Sequence, residues 1–279
     1  MTDVHPSNAD AATAWDGATG DIWTDNADLF DAGVARYLKP FLDAAGIEPT
    51  THVLDVGCGN GLTTREAARL ASAGSVTGVD LSTRMLDQAR RRAAADGLAN
   101  VSFVQADVQI ADLGEARYDR VISRNGVMFF GDPVAAFANL ARALKPGGRM
   151  VLLVWQPMSE NPWFTAFREA VAVGRELPMP PPEGPGPFAL GDPDRVRALL
   201  TAAGFGEPDL VGIREPMYYG PDVARAEQYV QAVLGGLLTE LDDAARAEAE
   251  AGLRATLEEH LGPEGVTYPS AMWIVTAHR

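Results

Sequence analysis

Between Thr51 and Val154 the chain alternates short apolar runs with segments whose apolar residues recur every three or four positions, which predicts strands alternating with helices. VLDV at Val53–Val56 reads as the first strand, followed after a glycine turn by a helix carrying Ala67, Ala68, Leu70 and Ala71. VTGVD at Val76–Asp80 is the second strand; Ser82 suits an N-cap, with Met85, Leu86, Ala89 and Ala93 at helical spacing behind it. VSFVQAD (Val101–Asp107), YDRVIS (Tyr118–Ser123) and RMVLLVW (Arg149–Trp155) supply three more strands. Asp132 and Pro133 open the intervening helix, whose buried face is Val134, Phe137, Leu140, Ala141 and Leu144.

Beyond Trp155 a helix is expected from Asn161–Pro162, a loop over the proline-rich Pro178–Pro187, and a helix opened by Asp192–Pro193 and closed by Gly204. A strand near Asp209–Glu215 precedes two inserted helices. The first, near Ala224–Leu241, has Val230, Val233, Leu234, Leu237, Leu238 and Leu241 on one side; the second, near Asp243–Leu261, spaces Leu253, Leu257 and Leu261 by four. Met272–Arg279 ends the chain as a strand. The expected architecture is α/β: a Rossmann-like, doubly wound, seven-stranded, mostly parallel sheet with helical cap insertions. Residues 1–50 read as an N-terminal helical lid and 51–279 as one domain, with cap elements at about 156–190 and 220–262.

Acidic residues outnumber basic ones 38 to 23, a net charge of −15, which disfavours phosphate backbones and anionic membrane surfaces as partners. No apolar run approaches the roughly 20 residues that span a bilayer. MTDVHPSNAD lacks the basic and apolar regions of a secretory signal, so a cytoplasmic protein, monomeric or homodimeric, is expected. Cys58 is the only cysteine, and His5, His52, His260 and His278 are scattered, which argues against disulfides and metal sites.

Candidate chemistry concentrates in VLDVGCGNG, Val53–Gly61, where a buried strand turns on Gly57, Gly59 and Gly61. Glycines there permit positive backbone angles and let a ligand lie against the main chain. Nicotinamide and flavin proteins use G-x-G-x-x-G to hold a pyrophosphate; here the spacing is G-x-G-x-G, with Asp55 two positions ahead of it. A carboxylate at that place repels a pyrophosphate but helps hold the ammonium of an amino-acid ligand, directly or through water, which favours S-adenosylmethionine (SAM) over NAD. Asp80, nineteen positions after Gly61, suits two ribose hydroxyls. Asp107 suits an adenine amino group, with the Val108 amide beside it.

VLDVGCGNG, VTGVDLS, FVQADVQ, YDRVISRNGVMFF and LKPGGRMVLLVW stand in an order that resembles the class I SAM-dependent methyltransferases, in particular the ubiquinone/menaquinone-biosynthesis-like group called methyltransferase type 11. WDGATGDIW, WQPMSENPWF and PGPFALGDPDRVRALLTAAGF look like a large actinobacterial-type subgroup. The resemblance implies cofactor contacts at Asp55, Gly57, Gly59, Asp80, Asp107, Val108, Ser123, Arg124 and Asn125, to which the neighbouring Cys58, Gly61 and Leu81 are added. It implies SAM as methyl donor, S-adenosylhomocysteine (SAH) as product, and a small-molecule acceptor. Trp15, Trp23, Phe129, Phe130, Trp155 and Trp163 are candidate acceptor contacts, and their character suggests a flat, aromatic or natural-product-like molecule of secondary metabolism. His5 and Tyr218 are the candidate general bases. Asp119 is read as structural and Cys58 as packed in its loop rather than nucleophilic. Two alternatives remain at this point: a nicotinamide-dependent oxidoreductase, and a SAM-fold protein that binds without catalysis.

Overall fold

The computed structural model describes residues 3–179, 181 and 184–279. Its elements run α1 (Ala9–Trp15), α2 (Ala18–Asp25), α3 (Ala27–Gly33), α4 (Ala35–Ala45), β1 (His52–Val56), α5 (Leu62–Leu70), β2 (Ser75–Asp80), α6 (Thr83–Ala95), β3 (Val101–Gln105) and β4 (Tyr118–Arg124). They continue with α7 (Pro133–Ala143), β5 (Leu144–Trp155), α8 (Pro162–Ala172), α9 (Pro193–Ala202), β6 (Asp209–Gly220), α10 (Val223–Val233), α11 (Gly235–Leu238), α12 (Asp243–Glu259), β7 (Leu261–Gly262) and β8 (Gly265–His278).

One sheet holds the strands in the order β3-β2-β1-β4-β5-β8-β6, and the two-residue β7 pairs with β8. β1 to β5 run parallel, and β8 is antiparallel to both β5 and β6. The fold class is thus the mostly parallel, doubly wound sheet expected, with β7 as an addition. The chain winds outward from β1 to β3, then restarts at β4 on the other side of β1. That reversal opens a crevice at the carboxyl ends of β1 and β4, where open α/β sheets bind ligands.

Helix faces follow the apolar spacing. Met85, Leu86, Ala89 and Ala93 of α6 are buried, and the Ser82 hydroxyl accepts from the Met85 amide as its cap. Asp132 caps α7 ahead of Pro133, and Asp192 caps α9. Leu70 departs from expectation: it is 43% exposed at the end of α5 while Ala67, Ala68 and Ala71 are buried. The first inserted helix also differs. It breaks at Leu234, and Gly235 and Gly236 open a separate short helix, α11. Val233 is exposed as a result, and Leu261 leaves its helix for β7.

The last strand starts at Gly265, seven residues earlier than its apolar run indicates. Pro269 hides this stretch in the sequence, since proline donates no ladder hydrogen bond. In the sheet it faces Pro216 of β6, so the two residues without amides meet at one pair position and neither strand is left with an unmatched donor. The described part of the proline-rich loop has neither helix nor strand; Pro180, Pro182 and Glu183 lie outside the described residues.

The amino-terminal helices lie over the crevice. Arg84 of α6 pairs with Asp21 and Asp25 at 2.7 and 2.6 Å, and Arg92 with Asp28 at 2.7 Å. Exposed pairs of this kind contribute little, because water screens them and the long side chains lose freedom in making them. Aromatic packing is the stronger tether: Trp15 meets Phe129, beyond the end of β4, at 5.0 Å, ring centre to ring centre.

Candidate active site

At the end of β1 the chain turns on Gly57, Gly59 and Gly61, with φ of +65°, +52° and +80°. The Gly57 and Cys58 amides donate to the Val79 carbonyl, folding the turn onto β2. A Cβ on Gly57 would lie 2.7 Å from the Cα of Gly126, so β1 and β4 approach too closely there for a side chain. Gly61 serves packing rather than ligand contact. It does not line the cavity, and its missing Cβ makes room for the Ala89 Cβ, 2.7 Å from where it would stand. Gly61→Ala combines a left-handed backbone with a clash against α6 and is expected to cost about 2 kcal/mol or more of stability, read from urea unfolding.

The turn, the strand ends and the amino-terminal helices enclose a cavity of about 270 Å³. Gly57, Cys58, Gly59, Asp80, Leu81, Asp107, Val108, Arg124 and Asn125 line it, as do Trp15, Trp23, Phe129, Phe130, Trp155 and Trp163. Asp80 is 9% exposed; its Oδ2 accepts from the Gly59 amide at 2.8 Å and its Oδ1 from the Ser82 amide at 2.9 Å. Burial raises its pKa against these hydrogen bonds. Asp107 is engaged from outside the sheet: Oδ1 accepts from Asn8 Nδ2 at 2.8 Å and the Gln109 amide at 3.0 Å, and Oδ2 from the His5 amide at 2.9 Å. The amino-terminal turn is therefore stitched to the tip of β3. Each carboxylate oxygen has acceptor capacity left.

Asp55 sits beneath the turn rather than on the cavity wall. It is 1% exposed, its Oδ2 accepts from Thr64 Oγ1 at 2.6 Å, and its Oδ1 has no protein partner. Burial pushes its pKa up to about 7, against the Thr64 hydrogen bond and the charge of Arg124. Arg124 is the cation on the cavity wall among the described residues. Its Nη2 donates to Asp31 of α3 at 2.8 Å and its Nε to Thr63 Oγ1 at 3.0 Å, while Nη1 is buried without a partner.

Several sequence candidates do not reach the cavity. Ser123 is fully buried, and its hydroxyl donates to the Val56 carbonyl at 2.7 Å, tying β4 to β1. His5 touches Asp107 only through its backbone; its ring pairs with Ser7 Oγ at 2.8 Å and is not on the cavity wall. Tyr218 also lies off the wall, because side chains alternate along β6 and its neighbours Met217 and Tyr219 take the cavity side with help from a register shift near Gly220. Neither is placed to act as a general base. Tyr219 donates to Met217 Sδ at 3.2 Å, and burial pushes its pKa well above the tyrosine range. Burial likewise raises the Cys58 thiol, which leaves it an inert packed group. Asp119 is structural: burial opposes its ionisation, but the Lys145 ion pair and the His52 amide outweigh it and hold the pKa low.

The sequence pattern did not single out Phe30, Asp31, Phe164, Phe167 or Tyr229, all of which line the cavity. They come from lid and cap helices, whose apolar periodicity signals burial without saying against what. Among the described residues no cluster of three His, Cys, Asp or Glu is placed to hold a metal, and no helix is long and apolar enough to cross a membrane.

A sheet ordered 3-2-1-4-5 with an antiparallel strand inserted before the last, glycines at the β1 turn and an acidic residue ending β2 together define a class I methyltransferase fold. Similarity to known proteins agrees. Residues 53–148 match a family described as a methyltransferase domain. An O-methyltransferase of Pyrenophora dematioidea is 31% identical over 170 residues, 60% of this chain and 58% of that protein. The ubiquinone/menaquinone biosynthesis C-methyltransferase UbiE of Pseudomonas aeruginosa is 33% identical over 137 residues, 48% of this chain and 54% of that protein. Aklanonic acid methyltransferase DauC of a Streptomyces strain is 37% identical over 106 residues, 37% of this chain and 48% of that protein. The chain thus spans about half the length of the curated relatives it matches. Among solved structures, YcgJ of Bacillus subtilis superposes with a TM-score of 0.59 at 19% identity, covering 88% of this chain and 98% of that one. The SAM complex of Haemonchus contortus phosphoethanolamine N-methyltransferase 2 also reaches 0.59, at 18% identity, covering 99% and 60%. These structures speak for the fold alone. Residues 53–148 thus match a methyltransferase domain, carried on a class I methyltransferase fold.

The residues present fit SAM. Arg124 on the cavity wall keeps one guanidinium nitrogen without a partner, which suits a carboxylate, an unpaired carboxylate oxygen lies under the glycine turn, and at Gly59 an added Cβ would meet only Met85 Sδ at 3.8 Å, leaving the main chain open.

Proposed function

We propose that the protein transfers the methyl group of SAM to a small, flat, largely apolar acceptor of aromatic or natural-product type. The observation that carries this reading is one cavity with two characters. Its floor is the glycine turn with Asp80, Asp107 and Arg124, and its far walls are Trp155, Trp163, Phe164, Phe167 and Tyr229. The UbiE and DauC relatives, by name methyltransferases of ubiquinone/menaquinone biosynthesis and of aklanonic acid, support a small-molecule acceptor.

SAM, when bound, would supply an activated methyl: its sulfur–carbon bond would break with the electron pair going to sulfur as an electron pair of the acceptor forms the new bond to carbon. The protein's work is then alignment and exclusion of water. Asp80 accepts the ribose hydroxyls, and Asp107 with the Val108 amide takes the adenine edge. Arg124 faces the carboxylate of the amino-acid part, and Asp55 lends its negative field to the ammonium from beneath the turn. Helices α1 to α3, with Trp15, Trp23 and Phe30, act as the lid, and α8 and α10 roof the acceptor end. Tyr219 is held neutral by burial and its hydrogen is engaged with Met217, so it is not the group that takes a proton from the acceptor.

Calorimetric titration with SAM, SAH and NADH tests the cofactor: binding of SAM and SAH is expected, and binding of NADH alone would refute the reading. Incubation with radiolabelled SAM and a panel of aromatic metabolites tests the transfer, and product mass and position decide between C-, N- and O-methylation. Arg124→Met leaves the ligand carboxylate without its charged donor and is expected to weaken SAH about tenfold. An unchanged dissociation constant would remove Arg124 from the cofactor site.

A further inference from the structure

Asn125, at the tip of β4, has its backbone in the left-handed region with φ of +58°. The position is over-determined. Its amide donates to the Leu153 carbonyl at 2.9 Å, and the next residue, Gly126, is wedged against Gly57 and the Val56 carbonyl so closely that a Cβ on it would stand 2.7 Å from that oxygen. The neighbours therefore fix where the side chain emerges, which is on the cavity wall. There its Nδ2 and Oδ1 are both shielded from solvent, and neither has a protein partner.

A primary amide buried with both ends unmade forfeits its hydrogen bonds to water without replacing them, so such a residue points to a ligand that completes it. β4 lies between β1, which ends in the glycine turn, and β5, which ends at Trp155. Asn125 thus stands between the cofactor side of the cavity and the aromatic chamber, where Trp155 packs 5.2 Å from Trp163. It offers one donor and one acceptor to whatever lies between.

We propose that Asn125, in place of the cofactor contact that the resemblance implies for it, is the positioning residue for the acceptor, and that the acceptor is a flat aromatic ring bearing a hydroxyl beside or at the atom to be methylated. This rests on the methyl-transfer reading above. Oδ1 accepts the hydroxyl hydrogen and Nδ2 donates to the oxygen or to an adjoining carbonyl. The ring lies among the aromatic walls, and the pair of hydrogen bonds fixes which edge faces the methyl donor.

Asn125→Gly tests this, because glycine keeps the left-handed backbone without the amide. SAH binding is followed by calorimetry, and binding of 2-naphthol and of naphthalene by equilibrium dialysis in the presence of SAH. The wild type is expected to prefer 2-naphthol, and the glycine variant to lose about tenfold of that preference while its SAH affinity stays within about twofold. The ratio of the two naphthalenes is insensitive to a general loosening of the cavity, which moves both alike. An equal preference in the wild type, an unchanged ratio in the variant, or a tenfold loss of SAH affinity would overturn the assignment. A wild type that binds no SAH would sink the methyl-transfer reading itself, a separate and earlier failure.

Discussion

Asp80→Ala is expected to weaken SAH binding several hundred-fold, because one carboxylate performs two tasks. Its oxygens already accept from the Gly59 and Ser82 amides, at 2.8 and 2.9 Å, and so hold the glycine turn against the start of α6. The remaining acceptor capacity faces the cavity, where it meets ribose hydroxyls. Removing it costs on the order of 2 kcal/mol in charge-assisted hydrogen bonds to the ligand, and two buried amides left unpaired add roughly 1–2 kcal/mol through a loosened turn. The two contributions separate by ligand chemistry. Wild-type protein should bind adenosine far better than 2′,3′-dideoxyadenosine, and in the alanine variant this preference should nearly vanish, whereas the loosened turn weakens both nucleosides alike. Were the variant to keep the preference, Asp80 would be a clip for the turn and nothing more.

The two tasks of Asp80 also mark what the sequence could and could not reveal. Strand ends were legible because the apolar runs of parallel strands are buried on both faces, and the turn was legible because only glycine serves at its positive angles. Asp80, Asp107 and Val108 could be foreseen at the cavity because Asp80 closes its strand and the other two lie within three positions of the end of theirs. The distinctions within the turn were not visible. Gly57, Gly59 and Gly61 look alike in sequence, yet Gly61 answers to Ala89 on a helix folded back from further along the chain. Ser123 and Arg124 are adjacent, but strand alternation buries one as a tie to β1 and turns the other to the cavity and to Asp31. Asp31 itself lies among Asp21, Asp25 and Asp28, whose partners are on the outer face of α6, so nothing local separates the cavity carboxylate from the surface ones. Tyr218 and Tyr219 differ by one register step, which a bulge in β6 decides.

Asp55 should give both folding and cofactor binding a pH dependence near neutrality. Its pKa in the folded protein is about 7, against a model-peptide value of 3.8, because burial penalises the charge more than Thr64 and Arg124 relieve it. Between those two values the folded chain keeps a proton that the unfolded chain has released. Its contribution to stability is therefore full below 3.8, declines by about 1.4 kcal/mol per pH unit, and is gone above 7, a span on the order of 4 kcal/mol. Asp55→Asn isolates this from the other carboxylates: the difference in unfolding free energy between variant and wild type should grow in the variant's favour from pH 5 to pH 7 and level off above it. Cofactor binding runs the other way. The ammonium of SAH favours the ionised carboxylate, so below pH 7 a proton must leave on binding, and affinity should rise about tenfold per pH unit up to pH 7 in the wild type. In the asparagine variant, binding should be weaker at pH 8 and flat across this window. Calorimetry in two buffers of different ionisation enthalpy counts the proton directly. Release near one at pH 6 and near zero at pH 8 is the expected result, and no release at pH 6 would mean that the buried carboxylate and the ligand's ammonium do not sense one another.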